Sequence, residues 1–175
     1  MLALRPTLLA QFAFVASLVA SGSALAGPHE HGVAHMDIAL EGGSLHISIK
    51  VPLESLLGYE RAPRNAAEKA AASALLDRFK KGQPVLALPG QAQCKEAAPA
   101  QVKAPLIEGQ SSGDHGDLQA QYRLECAQAG ELRKVDVTLF DLSPGIKRVR
   151  AQVIGAKGQS QSVLRRNKRQ LQLDR

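Results

Sequence analysis

The chain has 175 residues, 22 Lys+Arg against 16 Asp+Glu, and a formal charge of +6. It holds four Phe, two Tyr and no Trp. One modest domain is the natural reading, and a large multidomain enzyme is excluded.

The opening apolar run Leu8 to Ala16 follows Arg5 and leads to Ser21-Gly22-Ser23-Ala24-Leu25-Ala26, which ends in an A-x-A step. This is the pattern of a secretory signal peptide over residues 1–26, cut near Ala26. The stretch is short and rich in small residues for a permanent span of ~20 residues, so no stable membrane insertion is expected after cleavage. Residues 27–175 then form a single domain in an oxidising compartment. Loss of the leader removes Arg5 and no acid, and the remaining positive charge concentrates after Arg165, where five bases (Arg165, Arg166, Lys168, Arg169, Arg175) face Asp174 alone. With few aromatic platforms for bases to stack on, nucleic acid is not the expected partner. The basic end reads as a solvated segment useful for solubility or weak docking.

Residues 33 to 40 alternate, with Ala34, Met36, Ile38 and Leu40 on one face, and Leu45, Ile47, Ile49 and Val51 continue an apolar face beyond Gly42-Gly43. The spacing predicts a β-hairpin in which Leu40 faces Leu45, Ile38 faces Ile47 and Met36 faces Ile49. The same register sets His35 opposite Lys50 and Ala39 opposite His46 on the other face. Asn65-Ala66-Ala67-Glu68 is a helix start, and Gly82 and Pro84 stop the Ala-rich segment after it, so one helix is predicted over 66–80. Val85 to Pro89 is a short apolar run, and Cys94 to Gly113 is less regular. Leu118, Ala120, Tyr122, Leu124 and Cys126 alternate clearly, as do Val135, Val137 and Leu139, and Val149, Ala151 and Val153. Residues 159–164, and Leu171 with Leu173, fit short edge strands. Turns too short for crossover helices make this a mainly β (α+β) protein: an antiparallel sheet or sandwich-like assembly with one helix.

Cys94 and Cys126 are the only cysteines, and in an exported small domain such a pair forms a disulfide. No C-x-x-C spacing supports a thiolate metal site.

The histidines carry the chemistry. In Pro28-His29-Glu30-His31-Gly32-Val33-Ala34-His35-Met36-Asp37, the residues His29, His31, His35 and Asp37 share odd numbering, so an extended backbone projects them to one face. Two imidazoles in H-x-H converge readily on a tetrahedral zinc ion, and Gly32 allows the bend that His35 would need to join them. Asp114-His115-Gly116-Asp117 supplies further donors: His115 as ligand, Asp117 as ligand or as the group that fixes the His115 tautomer. His46 reads as a surface strand residue. A square-planar copper site at Gly27-Pro28-His29 is excluded, because proline has no amide hydrogen to give up. The string Gly109-Gln110-Ser111-Ser112-Gly113 matches G-x-S-x-G only by letter, because it stands in the irregular stretch and not between a strand and a helix as a nucleophile elbow does; with no H-E-x-x-H and no Gly-rich phosphate loop either, no catalytic residues are expected.

Taken in order, His29-Glu30-His31-Gly32, Leu56-Leu57-Gly58-Tyr59-Glu60-Arg61-Ala62-Pro63, Cys94, His115-Gly116-Asp117-Leu118, Tyr122 to Cys126 and Val153-Ile154-Gly155 resemble the ZrgA family of exported zinc-uptake accessory proteins. The likeness runs along nearly the whole chain after the leader. It implies a periplasmic zinc-binding protein that assists acquisition through an ABC transporter or its binding protein, with histidine ligands and a structural cysteine bridge. Relatives carry a His, Asp and Glu rich insertion before the segment matching His115, whereas residues 100 to 113 here hold no histidine. The family's G-F-E-H is Gly58-Tyr59-Glu60-Arg61 in this chain. What remains suits about one tight site. Two other classes stay open: a disulfide-stapled envelope interaction module without functional metal, and a zinc-dependent hydrolase.

Overall fold

The computed structural model describes residues 30–82, 85–110 and 116–173. The leader with its cut at Ala26, His29, Pro84, Asp114, His115, Asp174 and Arg175 lie outside the described residues.

Strands β1 (Val33–Glu41) and β2 (Ser44–Pro52) form the hairpin, followed by a five-residue helix α1 (Leu53–Leu57) and the main helix α2 (Ala66–Lys80). Then come β3 (Leu86–Ala87), β4 (Cys94–Lys103), β5 (Asp117–Cys126), β6 (Lys134–Val137), β7 (Arg148–Gly155), β8 (Gly158–Arg165) and β9 (Gln170–Gln172). A six-stranded sheet runs β4-β5-β2-β1-β7-β8, and a three-stranded sheet runs β3-β6-β9. The mainly β class with one main helix is borne out. Among the described residues no helix is long and apolar enough to cross a membrane.

The hairpin has the register its apolar residues dictate, with Leu40 opposite Leu45, Ile38 opposite Ile47, Met36 opposite Ile49 and His35 opposite Lys50. A slip of one residue would turn this whole apolar set to water, which is why the pattern determines the pairing. From the same face of the large sheet, Leu118 and Ala120 of β5, Val149, Ala151 and Val153 of β7 and Leu164 of β8 join Leu75, Leu76 and Phe79 of α2. Leu86, Val135, Val137 and Leu171 of the small sheet enter the same cluster. The core therefore lies between the large sheet and a second layer made of α2 and the small sheet. The buried Tyr122 hydroxyl donates to the Phe79 carbonyl at 3.2 Å, tying β5 to the last turn of α2. Burial pushes that phenol well above its ordinary pKa. On the other face His35, Asp37, His46, Gln119, Gln121 and Arg150 are exposed, and no further layer covers them among the described residues.

Helix α2 begins where the sequence predicts. Asn65 is extended and its side chain accepts the Glu68 amide at 2.9 Å, a cap that contributes about 1 kcal/mol. Glu68 also takes the Arg64 amide and a forked pair of bonds from Arg61, at 2.7 and 3.0 Å. Arg61 in turn lies over the Tyr59 ring at 4.5 Å. These bonds, that of Arg61 first, hold the Glu68 carboxyl down at about 2 against its ordinary 4.5. Because the folded value is depressed, the stabilisation is complete above about pH 4.5 and is lost as pH falls towards 2. Thermal melts should show Glu68→Gln less stable than the wild type at pH 7, with the gap closing by about pH 2; a gap independent of pH would mean that this network does not stabilise the fold.

Four features depart from the sequence reading. Cys94 to Lys103, read as irregular, is the ten-residue edge strand β4; its alternation is hidden by two register shifts against β5, between Glu96 and Ala98 and between Ala98 and Gln101, and by its exposure. Helix α1 is added after β2. The pairing of β1 with β7 is parallel, Val33 beside Arg148 through Ala39 beside Ile154, whereas the other strand pairs are antiparallel. The basic end is not a free segment, since β9 pairs with β6 and buries Leu171 while Leu173 is buried just beyond it. Two of its charges are engaged: Arg169 holds both oxygens of Asp141 at 2.9 Å, and Arg166 donates to the Ser143 carbonyl and lies over Phe140. The predicted disulfide is present, joining Cys94 and Cys126 as direct cross-strand partners.

Candidate metal-binding corner

Helix α1 is the platform on which the two donor-bearing stretches of the sequence meet. It closes at Gly58, which takes the left-handed conformation (φ +81°) and donates its amide to the Glu54 carbonyl at 2.8 Å; a side chain there would be strained. Leu53 and Ser55 are buried, so the helix turns Glu54 outward.

The amino-terminal stretch packs on this helix. Gly32 adopts φ +77°, and its amide donates to the buried Ser55 hydroxyl at 2.9 Å. Its carbonyl accepts from the Lys147 and Arg148 amides at 2.8 and 3.0 Å. With the chain fixed at Gly32, the exposed His31 ring places Nδ1 2.7 Å from the Glu54 carboxylate. The Gly32 bend anticipated from sequence therefore occurs, and it delivers His31 to α1. His35 lies on the open face of β1 between Lys50 of β2 and Arg150 of β7. Two flanking cations raise the cost of a dication at that spot. Asp37, two residues on, stands between Ser48 and Gln152.

The second stretch reaches the same helix from β5. The Gly116 carbonyl accepts the Leu53 amide at 2.7 Å, and the Gly116 amide donates to Glu60 Oε1 at 3.1 Å. Asp117 begins β5 opposite Pro52. Its carboxylate is buried and lies 2.9 Å from the Lys50 ammonium. The sheet thus brings the backbone next to His115 onto Leu53 and the His31 ring onto Glu54, consecutive residues of one short helix. Among the described residues, no three His, Cys, Asp or Glu side chains are grouped closely enough to hold a metal ion. His29 and His115 lie outside them.

Compared with known families, the chain matches the ZrgA family zinc uptake protein over residues 28–173. The chain belongs to the ZrgA family of zinc uptake proteins. No curated protein matches it. In this ZrgA family member the sequence reading passed over Glu54, although the run Leu53-Glu54-Ser55-Leu56-Leu57-Gly58 carries its signal. An acid in the first turn, two leucines and a closing glycine are the marks of a short helix. Arg61 is engaged with the Glu68 carboxylate in the first turn of α2.

Proposed function

We propose that this protein binds zinc in the periplasm, through imidazoles gathered at the α1 corner, and passes it on to an ABC transporter or its binding protein. Membership of a zinc uptake family supports the cargo. The single structural observation that supports the place is the His31–Glu54 contact at 2.7 Å. With Nδ1 held by a carboxylate, Nε2 is the ring nitrogen left for a metal, in the carboxylate–histidine–zinc arrangement that orients the ring and raises its basicity. His29 and His115 are the proposed companions of His31. Asp117, engaged with Lys50, suits an orienting role at the 115–117 turn, and His35 is the weakest of the candidates because of its cationic neighbours. Zinc is cargo in this reading, and no turnover is proposed.

Calorimetric titration of the purified protein with zinc tests it. The wild type should take up about one ion, and His29→Ala/His31→Ala should lose more than about a hundredfold in affinity, since loss of an outer partner alone costs ten- to a hundredfold. Unchanged stoichiometry and affinity in that variant would remove both ligands. Zinc-dependent hydrolysis of an ester or phosphoester substrate would instead favour an enzyme.

A further inference from the structure

Within His29-Glu30-His31-Gly32 the acid has a partner of its own. The Glu30 carboxylate bridges two guanidiniums of β7, one oxygen on Arg148 and the other on Arg150, the latter at 2.6 Å. The parallel pairing explains how. Val33 lies beside Arg148 and His35 beside Arg150, so the two arginines stand two residues apart on one face of β7, about 6.6 Å along the strand. The turn at Gly32, closed by the Val33 amide on the Glu30 carbonyl at 3.1 Å, sets Glu30 back over them.

We propose that Arg148 and Arg150 form a carboxylate clamp that positions His31 for zinc, with Glu30 as a positioning residue and not a ligand. The proposal rests on the zinc reading above. Both Glu30 oxygens are committed to guanidiniums, and two cations against one carboxylate leave a local excess of positive charge that disfavours a dication on Glu30 itself. The residue is bonded directly to His31, so fixing its carboxylate fixes the peptide from which that imidazole hangs. Glu54 holds His31 from one side and the clamp holds its neighbour from the other. The partly exposed ion pairs contribute little to global stability, so the clamp's effect is expected on zinc affinity and not on unfolding.

Zinc sulfate titrated into the purified protein against a chromophoric chelator, together with melts of the zinc-free protein, separates these effects. Arg148→Gln/Arg150→Gln and Glu30→Gln should each weaken zinc about ten- to a hundredfold, the range for groups that orient a ligand, while the zinc-free melting temperature stays within about 2 °C. Arg148→Lys/Arg150→Lys, which keeps both charges, should recover much of the loss. Wild-type affinity in the double Gln variant overturns the clamp and leaves the zinc reading standing. Abolished binding in Glu30→Gln with wild-type affinity in the double Gln variant makes Glu30 a ligand and overturns it as well. A wild type that takes up no zinc overturns the zinc reading itself, and the clamp with it.

Discussion

Cys94→Ala/Cys126→Ala should destabilise the protein by about 3 to 4 kcal/mol, the chain-entropy value for a loop with a sequence separation of 32. In a domain of this size that is a fall in melting temperature of about 10 °C. The loss should be uneven. Cys94 and Cys126 pair at one end of the β4–β5 ladder, and the pairing beyond is interrupted twice by register shifts. Near the bond the chain is also joined by the Cys126 amide on the Gly43 carbonyl and the Gln128 amide on the Ala92 carbonyl. Without the bridge, β4 has one partner strand, a broken ladder and little buried surface to hold it. Hydrogen exchange should therefore show β4 amides exposed well before those of β1 and β7, which sit at the sheet interior. Equal protection of β4 with and without the bridge would mean that side-chain packing alone secures this edge.

Gly145→Ala should cost about 3 kcal/mol, the upper end for a forced overpacking, and should disturb the histidine corner from a distance. A Cβ at Gly145 would stand 2.2 Å from the Ser55 carbonyl oxygen and 2.9 Å from its carbon. Both are backbone atoms, so no rotamer relieves the clash, and α1 itself must shift. Ser55 is the acceptor for the Gly32 amide, and Glu54 beside it holds His31, so the displacement passes to the residues proposed to bind zinc. Gly116→Ala is the matched control. Its Cβ would crowd the Glu60 side chain, which is exposed and can swing away at the loss of its bond from the Gly116 amide, and the cost should be about 1 kcal/mol, that of one hydrogen bond. Urea unfolding of both variants, with the Gly32 amide resonance as the local probe, gives the comparison. Equal stabilities would show that the 143–146 turn does not press on α1.

The parts of this structure that local pattern determines were legible. The hairpin register follows from four apolar residues on each side of Gly42-Gly43, and the limits of α2 follow from Asn65, Glu68 and Gly82. The β5 alternation placed Cys126 on the buried side, as found. What the chain does across distance was not legible. Alternating Val and Ala residues in β7 fit a parallel or an antiparallel neighbour equally well, so nothing local announces that β1 is its partner. Strand β4 hides because an exposed edge with Lys95, Glu96 and Pro99 has no need of apolar alternation. The histidine corner divides in the same way. The H-x-H run and the Asp117 turn stand out in sequence, whereas Glu54 is 23 residues from His31, and Arg148 and Arg150 are 118 and 120 residues from Glu30. A contact at such range leaves no mark on the composition of either partner.

The side-by-side placement of β1 and β7 also bears on the order in which the molecule becomes native. Contacts spanning most of the chain are entropically costly to close and make for slow folding. The hairpin can form early by itself, but the seat of Glu30 exists only when residues 148 to 154 have docked. Glu30 is therefore synthesised well before its partners and can be seated only after Arg148 and Arg150 have been made and docked, 118 and 120 residues later.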